Sequence, residues 1–164
     1  LQEDYRYLLT KRLIKVLNKN TDAPIIAYYK SFEIGRLNYL GNEFPEFKPQ
    51  IKGIINRMHD LADVFKNKWY YHPKLEGSFS IKNFLPVLCP NVGYDSLEIK
   101  NGSQASAAFM ELLMHGHNEQ IRDSMLEYCK LDTWAMVLLM DKLKEMVEQS
   151  NNKKDGKRKR INKR

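Results

Sequence analysis

The segment PIIAYYKSFEIGRL, residues 24–37, decides the fold class because its pattern changes from that of a strand to that of a helix. Residues 24–29 form a continuous apolar run that opens with a proline, which is typical of a short strand buried on both faces. Ser31 can cap a helix over residues 32–42, with Glu33 in its first turn. A buried strand followed by a helix predicts an α/β architecture.

The rest of the chain is predicted to be mostly helical. Apolar residues recur at helical spacing in residues 4–20, 51–65, 80–88, 102–116 and 118–150, and the segments around 80–88 are rich in proline and glycine. One strand is too few for a sheet, so either further short strands lie in the middle of the chain or the rest of the sheet precedes residue 1. We favour the second explanation, and the lack of an initiator methionine also indicates a piece of a longer protein.

The composition predicts one domain, residues 1–150, in a protein that does not span a membrane. The chain has 164 residues, 43% of them hydrophobic, and no apolar run approaches the roughly 18 residues that a spanning helix needs. The start lacks the layout of a signal peptide, and two cysteines are too few for a disulfide scaffold or a zinc cluster. These features favour the cytoplasm.

The excess positive charge lies in the last segment. Residues 151–164 hold eight Lys or Arg and one Asp, so the preceding 150 residues carry 19 charges of each sign. Such a tail can attract phosphates. A solvated terminus or a junction to a further segment explains it as well, and we predict that residues 151–164 form a disordered basic tail.

Asp132 is the residue whose position most needs an explanation. On a helix over residues 118–150 it lies at the centre of the apolar stripe, one turn after Tyr128. A buried carboxylate is costly unless it is paired, which leaves two interpretations: an ion pair with Arg36 or Arg57, or a ligand for Mg²⁺ or Mn²⁺. In the second interpretation Tyr128 can orient a water for phosphodiester cleavage; otherwise it is a core aromatic.

Four further residues are candidates for the same chemistry. Glu33 follows the carboxyl end of the buried strand, where ligands collect in open α/β sheets, although a helix-dipole partner is the alternative. Lys82 can meet a phosphate, and Tyr70 and Tyr71 can stack on the bases of single-stranded DNA or RNA. A solvated lysine and packing aromatics are the alternatives for these three residues.

Three segments resemble a known family. The stretches YYKSFEIGRLNYL, YYHPKLEGSFSIKNFLPVLCPNVGYDSLEIKNG and LEYCKLDTWAM occur in the order found in the bacterial family called domain of unknown function 2779, and the similarity spans residues 7–143. SFEIGRL is similar to the second motif, and YCKLD to the third, of DEDD-type 3′–5′ exonucleases of the tyrosine branch. The resemblance implies a ribonuclease-H-like exonuclease fold with Glu33, Tyr128 and Asp132 as catalytic residues, the two acids binding Mg²⁺ or Mn²⁺.

The chain departs from the exonuclease pattern in three ways. Glu33 stands where the exonucleases usually have Asp, Tyr29 stands where they often have Asn, and the D-x-E strand of the first motif is absent. The resemblance thus implies the C-terminal part of a metal-dependent nuclease domain, inactive as this fragment, whose first-motif acids lie upstream. Asp60 resembles an acidic residue that begins a later helix, and we interpret it as structural.

A second reading belongs to another functional class. The degenerate second motif and the absent first motif also fit a non-catalytic module with a nuclease-type fold that binds nucleic acid or another protein. An open sheet edge would favour a dimer in either case.

Overall fold

The computed structural model describes residues 4–161, with side chains up to residue 152, and the chain divides into two compact units, Leu1–Tyr70 and Tyr71–Arg164. Helix accounts for 68% of the chain and strand for 4%, which confirms the predicted mixed and mostly helical character. Among the described residues, no helix is both long enough and apolar enough to cross a membrane.

The first unit is a βαβ arrangement preceded by a helix. Its elements are α1 (Tyr5–Leu17), β1 (Ile25–Ala27), α2 (Lys30–Glu43), α3 (Lys48–Asn56), β2 (Met58–Asp60) and α4 (Asp63–Lys66). The two strands pair in parallel, with Ile25 opposite Met58 and Ala27 opposite Asp60. The carboxyl ends of both strands therefore meet at one edge of the sheet.

The prediction of one helix over residues 51–65 is wrong, because strand β2 interrupts it. The buried residues of this segment are Ile51, Ile54, Met58, Leu61, Ala62 and Phe65, and their recurrence at intervals of three and four fits one continuous helix. The helix ends at Asn56 instead, and the second strand lies within the chain. A three-residue strand that buries only Met58 leaves the helical spacing intact, so the pattern could not reveal the interruption.

The start of α2 also differs from the prediction. Tyr29, not Ser31, is the N-cap, and it adopts a left-handed conformation with φ 58°. Its backbone N–H donates to the Asp60 carboxylate at 2.8 Å. Because this bond fixes the chain where β1 ends, the helix begins at Lys30, two residues earlier than the predicted start at 32.

The core of the first unit lies between the sheet and helices α1 to α3. It consists of the buried residues Ala27, Leu37, Ile51, Ile54 and Met58. Hydrogen bonds from Arg57 connect the end of α3 with the end of α1 and the turn that follows it. Its guanidinium donates to the backbone oxygens of Leu17, Asn20 and Ala23 and to the side chain of Asn18.

Besides a short 3-10 helix over Pro73–Leu75, the described part of the second unit contains three α-helices joined by loops. They are α5 (Ile81–Leu88), α6 (Gly102–His115) and α7 (Glu119–Ile161). Ser80 occupies the N-cap position of α5 without a capping hydrogen bond from its side chain, and Gly116 is the C-cap of α6, which confirms the helix end predicted at residue 116. The core is formed where α5 and α7 pack together, with Phe84, Leu85, Ala135 and Leu139 fully or almost fully buried.

Helix α7 continues past the predicted domain boundary at residue 150, to Ile161. Side chains after residue 152 and the last three residues lie outside the part of the chain that the structure describes. The single domain over 1–150 and the disordered tail over 151–164 therefore stay predictions.

Candidate functional site

Asp132 lies half-buried on α7 and faces a tyrosine. The hydroxyl of Tyr94, a residue of the loop between α5 and α6, donates to Oδ1 of Asp132 at 2.7 Å. Tyr94 is itself 5% exposed. Asp132 is thus partly buried, and the partner that the structure gives it is a neutral donor.

Tyr128 stands beside this pair, one helical turn before Asp132. Its ring centroid lies 6.1 Å from that of Tyr94, and the side chain is 9% exposed. Burial and the hydrogen bond with Asp132 raise the pKa of Tyr128 to about 12. Burial and Asp132 also raise the pKa of Tyr94. Both hydroxyls are protonated at neutral pH, as ordinary tyrosines are, and that of Tyr94 donates to the Asp132 carboxylate.

Lys82 brings a positive charge to the same cluster. Its Nζ lies 4.8 Å from the ring centroid of Tyr94 and 5.2 Å from that of Tyr128, distances at which an ammonium is attracted to an aromatic face. Nζ also donates to the backbone carbonyl of Lys100. We call Lys82, Tyr94, Tyr128 and Asp132 the Asp132 cluster.

The sequence predicted three members of this cluster and missed Tyr94. Lys82, Tyr128 and Asp132 were singled out for separate reasons, and the fold brings them together. Tyr94 is 38 positions from Asp132 and sits in a loop, where no helical or strand spacing links it to the acid. Its presence inside a segment that resembles the family was the only signal.

The Asp132 cluster does not form a complete site for a divalent cation. Mg²⁺ and Mn²⁺ require several oxygen ligands, and the cluster supplies one carboxylate. Within the residues that the structure describes, no group of three or more His, Cys, Asp or Glu side chains is placed to hold a metal ion. Asp132 can therefore contribute one ligand, and any metal centre needs further acids.

Glu33 is exposed on the first turn of α2, in the unit Leu1–Tyr70. Asp132 and Tyr128 belong to the other unit. That Glu33 shares metal ions with Asp132 stays a prediction.

Asp60, at the end of β2, has both carboxylate oxygens bonded within the first unit. Its side chain is 6% exposed and accepts hydrogen bonds from the N–H groups of Tyr29 and Ala62 and from Lys66, the last at 3.2 Å. Burial acts to raise the pKa of Asp60, but the bonds from Ala62, Lys66 and Tyr29 outweigh it and hold the pKa below its usual value. These contacts support the structural role that the sequence suggested.

The two tyrosines predicted to stack on bases differ in exposure. Tyr70 packs edge-on against Phe65, with ring centroids 6.1 Å apart, and burial raises its pKa. Tyr71 is 69% exposed. Packing thus accounts for Tyr70, whereas Tyr71 leaves a free aromatic surface.

A comparison with protein families gives a match for the first half of the chain. Residues 1–80 match the family model described as Domain of unknown function (DUF2779). This supports the family resemblance for the part that contains Glu33 and Asp60, while Tyr94, Tyr128 and Asp132 lie beyond the matched residues. No curated protein and no solved structure gives a significant match to the chain.

Proposed function

We propose that the protein takes part in divalent-metal-dependent cleavage of nucleic acid, as part of an exonuclease-like domain with a ribonuclease-H-like fold. The observation that carries the proposal is the Asp132 cluster, in which the half-buried carboxylate accepts a hydrogen bond from Tyr94 and has Tyr128 one helical turn before it. A Tyr-x-x-x-Asp pair of this kind is what the resemblance to the tyrosine branch of the DEDD exonucleases implies. The fragment is proposed to be inactive alone.

The proposal gives each residue a role that its chemistry allows. Asp132 is one ligand of the cation, and Glu33 is the predicted second one. Tyr128, whose raised pKa keeps the hydroxyl protonated, positions the attacking water by a hydrogen bond. Tyr94 is a positioning residue, because its bond at 2.7 Å fixes the orientation of the Asp132 carboxylate. The cation would stabilise charge on the phosphate.

The proposal needs acids that the described cluster does not contain. We propose that they come from another segment of the same polypeptide, so the full-length protein is the one to test. Its degradation of 5′-labelled single-stranded DNA and RNA is followed with Mn²⁺, with Mg²⁺ and with chelator. The expected result is metal-dependent shortening from the 3′ end.

Asp132→Asn keeps the size and the hydrogen bond of the side chain but removes the charge. We expect it to lower the cleavage rate at least about 100-fold, the scale of losing a group that stabilises transition-state charge. Asp141→Asn, at an exposed aspartate on the same helix, is the matched control and should cleave at the wild-type rate. Equal rates for both variants, or no cleavage by the wild-type protein, would contradict the proposal.

A second candidate function is a non-catalytic module that binds single-stranded nucleic acid. It is favoured by the position of Lys82, whose ammonium lies over two tyrosine rings rather than pairing with Asp132. Such a module would bind labelled single-stranded DNA in chelator, without degrading it. Binding in chelator combined with absent cleavage in Mn²⁺ selects this function, and absent binding removes it.

A further inference from the structure

Another face of α7 lines an open pocket together with the loop that follows α5. The pocket has a volume of about 450 Å³, and its wall includes Val92 and Leu97 from the loop and Glu127, Lys130, Leu131 and Trp134 from the helix. Sites for small organic ligands are typically about 300–1,000 Å³. The pocket is thus large enough for a nucleoside.

This pocket is separate from the Asp132 cluster but shares a loop with it. Two positions along a helix correspond to a rotation of about 200°, so Trp134 leaves α7 on a different side from Asp132. Tyr94 bonds to Asp132, while its neighbours Gly93 and Val92 line the pocket. The loop therefore connects the two sites physically.

The lining favours a flat, uncharged ligand with polar edges. Trp134 is 53% exposed and offers an aromatic face, flanked by the aliphatic Leu131. Glu127 and Lys130 carry opposite charges, so the lining has no net charge to attract a polyanion. Asn91 adds amide donors and acceptors at the rim. A nucleobase has this combination of a stacking face and a hydrogen-bonding edge.

We propose that this pocket binds a nucleobase, stacked on the indole ring of Trp134. For the class of ligand the inference rests on the proposed action on nucleic acid. It adds a base-binding subsite that lies apart from the predicted phosphodiester-cleaving residues.

The chain offers an optical test because it contains two tryptophans, Trp69 and Trp134. In full-length protein, any other tryptophan and Trp69 are replaced by Phe so that Trp134 is the only indole. Its fluorescence is titrated with adenosine, with uridine and with a short single-stranded oligonucleotide, in chelator. Saturable quenching is expected, since a stacked base contacts the ring. Quenching that rises linearly with ligand, as for free tryptophan, would overturn the proposal.

The matched control keeps Trp69, instead of Trp134, as the fluorescent residue. When Trp134 is replaced by Phe and Trp69 is kept, quenching of the remaining indole should be absent or linear. Saturable quenching of Trp69 alone would place the ligand elsewhere and overturn the proposal. Trp134→Ala should weaken oligonucleotide binding about tenfold, the scale of one lost base stack.

The same titration separates this inference from the proposed nuclease function. Asp132→Asn should keep the quenching of Trp134 while it loses cleavage. Cleavage by the wild-type protein without saturable quenching would remove the base subsite alone. Saturable quenching without cleavage would support the base subsite and remove the nuclease function.

Discussion

Each unit of the molecule contains a partly or fully buried aspartate next to tyrosine and lysine, and the two aspartates are satisfied in different ways. Asp60 accepts from two backbone N–H groups and forms an ion pair with Lys66. Asp132 accepts a hydrogen bond from the hydroxyl of Tyr94, and its neighbour Lys82 faces the tyrosine rings instead. The charge of Asp60 is thus neutralised within its own unit, whereas Asp132 forms no ion pair among the side chains that the structure describes.

The difference shows which carboxylate is available for chemistry. A charge that is paired and enclosed stabilises its surroundings and has little capacity left for a ligand. A half-buried charge that is held only by neutral donors keeps its attraction for cations. This contrast supports the structural interpretation of Asp60, and it is one reason for the proposal that Asp132 has a functional role.

The largest expected effect on stability is at Asp60. Asp60→Ala should lower the free energy of unfolding by about 2–4 kcal/mol, because the N–H groups of Tyr29 and Ala62 and the ammonium of Lys66 lose their acceptor. Urea denaturation followed by circular dichroism measures this. Glu33→Ala, at an exposed carboxylate of the same unit, is the control and should change stability by less than about 0.5 kcal/mol.

The sign of the pH dependence gives a second check on Asp60. Since its pKa is lowered in the folded state, its contribution is fully present above the unfolded pKa of about 3.9 and is lost as the pH falls through the folded pKa. The stability gap between wild type and Asp60→Ala should therefore narrow below about pH 4. A gap that stays constant down to pH 2 would argue against the ion pair.

A smaller effect is expected at Tyr94. Tyr94→Phe removes the hydroxyl that donates to Asp132 and should cost about 1–2 kcal/mol, since the carboxylate loses a donor in a half-buried position. Thermal and urea unfolding of the variant measure the loss. Tyr71→Phe, at an exposed ring of the same unit, should leave stability unchanged.

Alkaline titration tests the burial of Tyr128, which lies beside Tyr94 in the Asp132 cluster. The raised pKa of Tyr128, about 12, means that its protonated form contributes stability below about pH 10, which is lost as the pH rises toward 12. The ionisation of Tyr128 is identified as the titration step that the wild-type protein shows and Tyr128→Phe lacks. If this step occurs near pH 10 in the folded protein, the Asp132 cluster is open to water.

The smallest expected effect is at Lys82. Lys82→Met keeps an apolar stem over the two rings and removes the charge, so the loss in stability should stay below about 1 kcal/mol. If Lys82 also contacts a phosphate, Lys82→Met should release roughly one counterion fewer on binding single-stranded DNA. The slope of the logarithm of the binding constant against the logarithm of the salt concentration should become shallower to that extent. Lys144→Met, at an exposed lysine of α7, should leave this slope unchanged.

The parts of the fold that local chemistry decides were predicted well. Helix α5 begins directly after Ser80, at the position that the pattern indicates, and Gly116 ends α6, as its residue type indicates. The second strand was not predictable, because Met58 fits the helical spacing of its neighbours. The left-handed Tyr29 was equally hidden, since its conformation depends on Asp60, a residue 31 positions away.

In the candidate site, too, some features follow from local sequence and others depend on residues that are distant along the chain. The inward position of Asp132 and its closeness to Tyr128 follow from the period of one helix. Lys82 and Tyr94 reach the site through the packing of α5 and its loop against α7, which no spacing within the sequence encodes. The relation of Glu33 to Asp132 is a question of the same tertiary kind and stays a prediction.

The parallel pairing of β1 and β2 has a consequence for how the first unit is held together. The paired residues are 33 positions apart along the chain, and closing a loop of that length costs roughly 3 kcal/mol of chain entropy. A ladder of three residue pairs returns only about 1 kcal/mol for each hydrogen bond, which is used up by the closure cost, and ordering the backbone of each strand residue costs roughly 1–2 kcal/mol more. The strands therefore cannot persist on their own pairing, and the edge that carries Asp60 depends on the crossover helices α2 and α3 for its existence.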